Sequence, residues 1–363
     1  MQTALVHDYL NQYGGAERVL EALHDIYPHA PVYTSILDPI AMPLHMQSWD
    51  IRTSWMQHLP AWRRYFRHYF MLYPRAFESF DMRTYNLIIS SSSAYGKGII
   101  PPPGATHICY CHTPMRFAWQ TDAYVARERI GGIRRRLMQP MLAALRAWDV
   151  ASSARVTHFI ANSKVVAERI NTHYGRSATI IPPPVDLAPF QPRPAGDYYL
   201  TGGRLVPYKR IDLAIQACSA LNLPLVVFGD GRDKTELMAM AGPTVRFVGR
   251  ISEQERLDLY AGCSAFLFPG EEDFGITPLE AMAAGRPVIA YRGGGALDTV
   301  IDGQTGLFFA TQEPAALQDA LTRAAAIDWD AQAIRTHAES FGRDRFVARI
   351  RAFVETHHEV ING

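Results

Sequence analysis

Two carboxylates, Glu272 and Glu280, stand with seven residues between them in the segment Pro269-Gly-Glu-Glu-Asp-Phe-Gly-Ile-Thr-Pro-Leu-Glu-Ala-Met-Ala-Ala-Gly285. A loop carrying Phe274, Gly275 and Ile276 can turn successive backbone N–H groups toward an anion. A helix expected to begin at Thr277 adds its positive dipole end to the same spot, which suits a phosphate. Glu272 on the loop then accepts hydrogen bonds from hydroxyls on one side of a diphosphate, and Glu280, in the first helical turn, from hydroxyls on the other. A hexose and a ribose joined by a diphosphate fit that description. The same residues also read as a capping box, with Thr277 at N-cap, Pro278 at N1 and Glu280 at N3, in which Glu280 serves only the helix start.

A second constellation is Thr201-Gly-Gly-Arg204-Leu-Val-Pro-Tyr-Lys209, a glycine-led loop that sets an arginine and a lysine five residues apart. Breaking a glycosyl phosphate bond leaves growing negative charge on the departing diphosphate, and preorganised cations beside it stabilise the transition state more than the ground state. Lysine is scarce, only four of the 36 Lys and Arg side chains, so a lysine here is informative; a solvated loop pair is the plain alternative. His112 closes an expected strand and enters Thr113-Pro-Met-Arg116, which places an imidazole at a sheet's carboxyl edge, able to bind hydroxyls or move a proton. Gly14-Gly15, after an expected first strand ending at His7-Asp8, allows close approach of backbone to phosphate, although a tight turn explains it equally well. The Gly-x-Gly-x-x-Gly dinucleotide pattern is missing there, which counts against a dehydrogenase.

Strand-like and helix-like runs alternate along the whole chain, which predicts parallel sheets built from strand-helix-strand units, an α/β fold. Strands are expected at 3–7, 31–36, 85–91, 107–111, 157–161 and 179–181, then at 198–201, 224–228, 245–248, 265–268, 288–290 and 306–309. In the second half, helices are expected near 211–221, 234–241, 253–261, 278–284 and 315–326. Pro182-Pro-Pro184 with Pro189, Pro192 and Pro194 breaks the alternation where a linker belongs. The boundaries predicted are 1–184, 185–340 and a terminal segment 341–363, whose amphipathic stretch 344–358 is helical and could cross back to the first domain. Two such domains would bind ligand at the carboxyl ends of their strands, in a cleft between them.

The 363 residues, 48% hydrophobic with a formal net charge of +1, suffice for two cores and give no general affinity for nucleic acid. The apolar runs are strand-sized, and the first residues meet His7 and Asp8 too soon for a signal peptide, so a soluble cytoplasmic protein is expected. Four irregularly spaced cysteines fit reduced thiols. Strand alternation points Cys109 and Cys111 to one face and His112 to the other, which argues against a metal site. Asp328-Trp-Asp330 imitates a metal-binding Asp-x-Asp, but a helix N-terminus explains it better. No metal and no cofactor are expected.

Taken together, Gly14-Gly-Ala-Glu-Arg18, His112-Thr-Pro, Ala161-Asn-Ser163, Val185-Asp186, Gly203-Arg204 with Lys209, Phe247-Val-Gly249, Glu272-x7-Glu280 and Gly293-Gly-Gly295 resemble glycosyltransferase family 4, retaining transferases of the GT-B fold with two Rossmann-like domains. The resemblance implies that Arg204 and Lys209 bind the diphosphate, Glu272 the donor hexose and Glu280 the ribose. It further implies that the backbone of Phe274, Gly275, Ile276 and Thr277 contacts sugar and phosphate, and that Gly14 and Gly15 approach the phosphate from the other domain. The family's base-binding edge corresponds to Arg250-Ile251-Ser-Glu253, where Ile251 reads the base through its backbone; Glu253 could accept from guanine N1 and N2, which favours GDP over UDP. The run Cys111 to Trp119 and the early His7-Asp8-Tyr-Leu look most like mannosyltransferases of surface-polysaccharide assembly. Pro182-Pro-Pro184 stands where many members carry Asn-Gly. Catalytic roles fall to His112, Glu272, Arg204 and Lys209, with GDP-mannose as favoured donor.

Between Ile51 and Phe77 no acidic residue occurs, while Arg63, Arg64 and Arg67 interleave with Trp62, Tyr65, Phe66, Tyr69, Phe70 and Tyr73. Together with Arg134, Arg135 and Arg136, this suits an anionic membrane surface carrying a lipid-linked saccharide acceptor, at the inner face of the cell membrane. Buried aromatics with solvated arginines are the structural alternative. Rival functions are transfer from a UDP-hexose, a sugar-nucleotide epimerase, and an inactive scaffold of the same fold.

Overall fold

The computed structural model describes residues 2–119 and 132–358, with the side chains of 132–137 left out. Two compact units divide the chain. One runs to Pro184 and takes in the C-terminal segment from Phe346; the other spans Val185–Arg345.

In the first unit, β1 (Thr3–His7), β2 (Val32–Thr34), β3 (Ile51–Thr53), β4 (Leu87–Ser92), β5 (Thr106–Cys111), β6 (His158–Ala161) and β7 (Ala178–Ile180) form one parallel sheet. Its order is β3-β2-β1-β4-β5-β6-β7. Alternate residues of β1 feed opposite layers, Leu5 beneath Leu23, Ile108 and Phe346 on one face, Ala4 and Val6 with Tyr33, Phe77 and Ile88 on the other. Both faces are covered, which is why β1 and β4 are buried throughout rather than alternating in polarity. The helix Arg343–His358 contributes Phe346, Ile350, Phe353 and Val354 to the first of these layers, so its apolar stripe is core of this unit.

In the second unit, β8 (Tyr199–Arg204), β9 (Leu225–Asp230), β10 (Val245–Gly249), β11 (Ala265–Phe268), β12 (Val288–Tyr291) and β13 (Gly306–Phe309) form a parallel sheet. Its order is β10-β9-β8-β11-β12-β13. The order reverses between β1 and β4 in one sheet and between β8 and β11 in the other. Connections leave those neighbouring strand ends toward opposite faces and open a crevice at the carboxyl edge, where ligands of such sheets bind.

The predicted strands are present within a residue or two at most ends, with one addition. β3 is only three residues long, with Arg52 at its centre, so it has neither the length nor the alternation to announce itself. The helix expected from Thr277 starts earlier, at Ile276, with Gly275 as its N-cap. Gly275 takes φ of 83°, open to glycine at little cost, and its missing Cβ leaves room for the Phe268 ring. Thr277 therefore lies inside the helix and makes no capping box with Glu280. Asp330 caps the helix Ala331–Glu339 by accepting from the N–H groups of Gln332 and Ala333, the helix N-terminus expected at Asp328-Trp-Asp330.

A buried charge pair ties the long helix Gly132–Ser153 to the first sheet. Lys97 Nζ lies 2.5 Å from Asp149 Oδ1 and donates also to Ser152, while Trp119 Nε1 and Tyr174 Oη donate to Asp149 at 2.7 and 2.8 Å. Both charged side chains are almost fully enclosed. Removing one of them strands the other in a low-dielectric interior. Lys97→Ala is expected to destabilise the N-terminal unit by about 3–5 kcal/mol, read as a lowered urea midpoint; an unchanged midpoint would contradict this placement.

Candidate functional site

In the second unit, the loops leaving β8 and β11 meet at the crevice. Lys209 ends a 3-10 turn, Pro207–Lys209, and Gly270 lies so close beneath it that a Cβ there would come within 2.6 Å of Tyr208 O and Lys209 Cα. That approach brings Lys209 Nζ within 2.6 Å of Glu272 Oε1. The triple glycine 293–295 holds the carboxylate loop from behind. Gly295 N–H donates to Glu272 O at 2.8 Å, and a Cβ on Gly295 would sit 2.2 Å from Phe274 Cα. Arg204, at the end of β8, is exposed, and among the described residues it reaches only the Tyr208 hydroxyl, at 3.4 Å.

The Phe274 side chain is core, packed with Phe341, so its backbone is what faces the loop. The helix Ile276–Ala283 has no side-chain cap. Its leading N–H groups, at Gly275, Ile276 and Thr277, have no acceptor among the described residues, which leaves donors and a positive dipole end able to take an anion. One helical turn on, Glu280 is buried and accepts from Arg256, whose other guanidinium nitrogen holds Glu253 at 2.5 Å. Glu253 is otherwise exposed. The capping box of its helix belongs to Ser252 and Glu255, so Glu253 has no cap to serve. Ile251 packs against the core beside it. Arg256 is the residue the sequence reading missed. Its i,i+3 relation to Glu253 is legible, but its reach to Glu280, 24 residues away, is not.

In the first unit the corresponding crevice gathers His7, Asp8, Ser91, Ser92 and His112. The Asp8 carboxylate accepts from the N–H groups of Ser93, Ala94, Tyr95 and Gly96 and from the Ser92 hydroxyl, so it fills the turn after β4 much as a bound anion would. His112 Nε2 contacts Ser91 Oγ at 2.8 Å, and Ser91 Oγ contacts His7 Nδ1 at 3.2 Å. His7 Nε2 in turn lies 3.6 Å from Glu17 Oε1. The helix Gly15–Ile26 starts at the glycine pair, but the Gly14 N–H is already taken by Glu17 Oε2 at 2.8 Å. The next donor, the Gly15 N–H, has no acceptor among the described residues.

Among the basic residues expected at a membrane, Arg63, Arg64 and Arg67 are exposed, each over a neighbouring ring, Trp62, Tyr65 and Phe66. Trp62 and Tyr73 are buried core, and Phe66, Tyr69 and Phe70 pack against it, so those aromatics hold the fold. The side chains of Arg134, Arg135 and Arg136 lie outside the described residues. No cluster of three His, Cys, Asp or Glu side chains suited to a metal occurs among the described residues. Cys109 and Cys111 are buried in one apolar cluster.

Two family models tile the chain: "Glycosyltransferase Family 4" matches residues 13–189 and "Glycosyl transferases group 1" residues 190–340. The chain belongs to glycosyltransferase family 4, with the GT-B fold of two parallel-sheet, Rossmann-like domains. It is similar to a GDP-mannose-dependent alpha-mannosyltransferase of Mycolicibacterium smegmatis, 40% identical over 106 residues covering 29% of this chain and 28% of that protein. It is also similar to a D-inositol 3-phosphate glycosyltransferase of Nocardioides, 28% identical over 205 residues covering 45% of each. The matched segments thus span less than half the length of these relatives. Among solved structures, Anabaena HepE in complex with UDP superposes with a TM-score of 0.73 at 17% identity, over 98% of this chain and 100% of that one.

Burial pushes the His112 imidazole down to about 3, helped by the nearby His7, and burial likewise takes His107 down to about 4. An unfolded chain would take up protons at both near pH 6.5. The stability tied to their neutral forms is therefore complete above pH 6.5 and lost as pH falls toward 4, by up to about 1.4 kcal/mol per pH unit per histidine. Melting followed by circular dichroism should show a falling midpoint from pH 7 to 4.5, with a shallower fall in His112→Asn; equal slopes would contradict the reading of His112.

Proposed function

We propose that this chain is a retaining hexosyltransferase that moves mannose from GDP-mannose to a lipid-linked saccharide. The observation that carries the reading is the Lys209–Glu272 pair beside an uncapped helix start at the reversal point of the second sheet. A diphosphate placed there takes Lys209, Arg204 and the N–H groups of Gly275, Ile276 and Thr277. Glu272, released from Lys209, accepts hydrogen bonds from the hexose, and Glu280 from the ribose. These groups supply the positive charge that a metal ion brings to other transferases, so turnover is expected to persist in excess chelator.

The donor is argued from two sides. A relative of Mycolicibacterium smegmatis carries GDP-mannose dependence in its name, and Glu253 keeps one carboxylate oxygen open beside Ile251, able to accept from guanine N1 and N2. UDP-hexose is the second reading, favoured by the HepE structure with UDP. Retention follows from same-face attack, in which the leaving phosphate takes the acceptor's proton; Glu272 is committed to the hexose hydroxyls and does not serve as the nucleophile that a double displacement requires. Radiolabelled GDP-mannose, UDP-glucose and UDP-galactose offered in turn test the donor, and the reading fails if none is consumed. Lys209→Ala should lower kcat/KM by about 10²–10³, a loss too large for a scaffold or a mere loop contact.

The acceptor side is proposed to meet an anionic bilayer through Arg63, Arg64 and Arg67. Ile40 and Leu44, 91% and 82% exposed, lie on the neighbouring segment, where Asp38 pairs with Arg63, and can enter the interface while the arginines neutralise phosphates. No helix among the described residues is long and apolar enough to cross a membrane. Flotation with vesicles of phosphatidylglycerol should carry the protein up and neutral vesicles should not; Arg64→Glu with Arg67→Glu should abolish it, and flotation that ignores lipid charge would refute the surface.

A further inference from the structure

The carboxyl edge of the first sheet holds an unbroken polar chain: Glu17, His7, Ser91 and His112. The first three are almost fully buried; among the described residues none of the four makes a further side-chain hydrogen bond, and the His112 ring packs edge-on against Tyr110 at 5.2 Å. The chain ends at His112 Nδ1, which has no hydrogen bond among the described residues and is not among their buried, unpartnered polar atoms. We propose that Glu17, acting through His7 and Ser91, fixes the tautomer of His112 so that Nδ1 presents a bare lone pair to the ligand and accepts a hydrogen bond from a sugar hydroxyl. The proposal deepens the transferase reading and rests on it for the identity of the ligand.

The argument is a count of protons. In its neutral form each imidazole carries one N–H. Glu17 Oε2 is committed to the Gly14 N–H, and Oε1 faces His7 Nε2. A carboxylate there repels a lone pair and attracts an N–H, so His7 carries its proton on Nε2 and leaves Nδ1 as an acceptor. The Ser91 hydroxyl has one proton and gives it to His7 Nδ1. Its oxygen then must accept from His112, whose proton is held on Nε2. Nδ1 of His112 is left as an acceptor at the open edge. Reversing the charge pattern at residue 17 reverses every link. Glu17 and His7 are thus positioning residues, and only His112 meets the ligand.

Glu17→Gln keeps the size and the helix-start bond, because the Gln oxygen still accepts from Gly14. Its amide NH2 then faces His7 Nε2 and donates to it. His7 must move its proton to Nδ1, Ser91 must donate to His112 Nε2, and His112 must become the Nδ1–H tautomer.

Long-range proton–nitrogen NMR on 15N-histidine-labelled protein at pH 8 reads the tautomer directly, with the His112 signals identified by their loss in His112→Asn. The native protein should show His112 protonated on Nε2, and Glu17→Gln should show it protonated on Nδ1, with the other histidine signals apart from His7 unmoved. In a Ser91→Ala background, Glu17→Gln should leave His112 unchanged. A native His112 protonated on Nδ1 overturns the proposal even if no variant folds, and so does a Glu17→Gln spectrum identical to native. These outcomes are separate from turnover: failure of every sugar nucleotide to react would remove the transferase reading while leaving the tautomer result in force.

Discussion

The contact between Lys209 Nζ and Glu272 Oε1 organises the second unit. It joins two loops that leave neighbouring parallel strands toward opposite faces, and it forms because Gly270 has no side chain to hold the lysine turn away. An ammonium and a carboxylate held at 2.6 Å satisfy each other in the free protein. A ligand that brings both an anion and hydroxyls can replace each partner with its own complement, so neither charge is left stranded. Arg256 does the same service for Glu280 and Glu253. Each acid proposed to meet the ligand is thus paired beforehand, so none stands as an unpaired charge in the free protein.

The first unit solves a similar geometric problem with the opposite sign. At its strand reversal the turn after β4 points successive N–H groups inward, and Asp8 fills that nest from within the chain. The turn is fixed by its own carboxylate, and at this edge His112 Nδ1 and the Gly15 N–H are without a hydrogen-bond partner among the described residues. Two sheets with the same reversal of strand order have therefore become different surfaces. One offers N–H groups and cations, while the other offers an imidazole held by a buried polar chain.

Much of this was legible in the residues. Parallel-sheet strands buried on both faces read as short apolar runs, and the prolines after Ile181 interrupt them where the chain passes from one compact unit to the other. Glu272 and Glu280 stood out because acids flanking a glycine at a helix start are unusual in an apolar context. The Thr277 capping box did not materialise, because the left-handed conformation of Gly275 lets the helix begin first. A cap motif describes one way of starting a helix and carries no knowledge of what the preceding glycine can do. The aromatics between Trp62 and Tyr73 were drawn toward a surface role by their arginine neighbours, yet Trp62 and Tyr73 are core, since the short helical turns there place rings inward and guanidinium groups outward.

The sequence by itself determined the alternation of strands and helices, the family to which the chain belongs, and the residue types available for chemistry, because periodicity and motif spacing are local properties. Only the tertiary structure decided the partners: Arg256 with Glu280, Asp8 with the turn after β4, Glu17 and His7 with Ser91 and His112. Those contacts join residues from 10 positions apart, His7 with Glu17, to 88, Asp8 with Gly96, and parallel strands bring the distant ones together only through crossovers, whose register is set by how side chains pack on both faces of the sheet. No local pattern encodes that register, and the chemistry of the site depends on it.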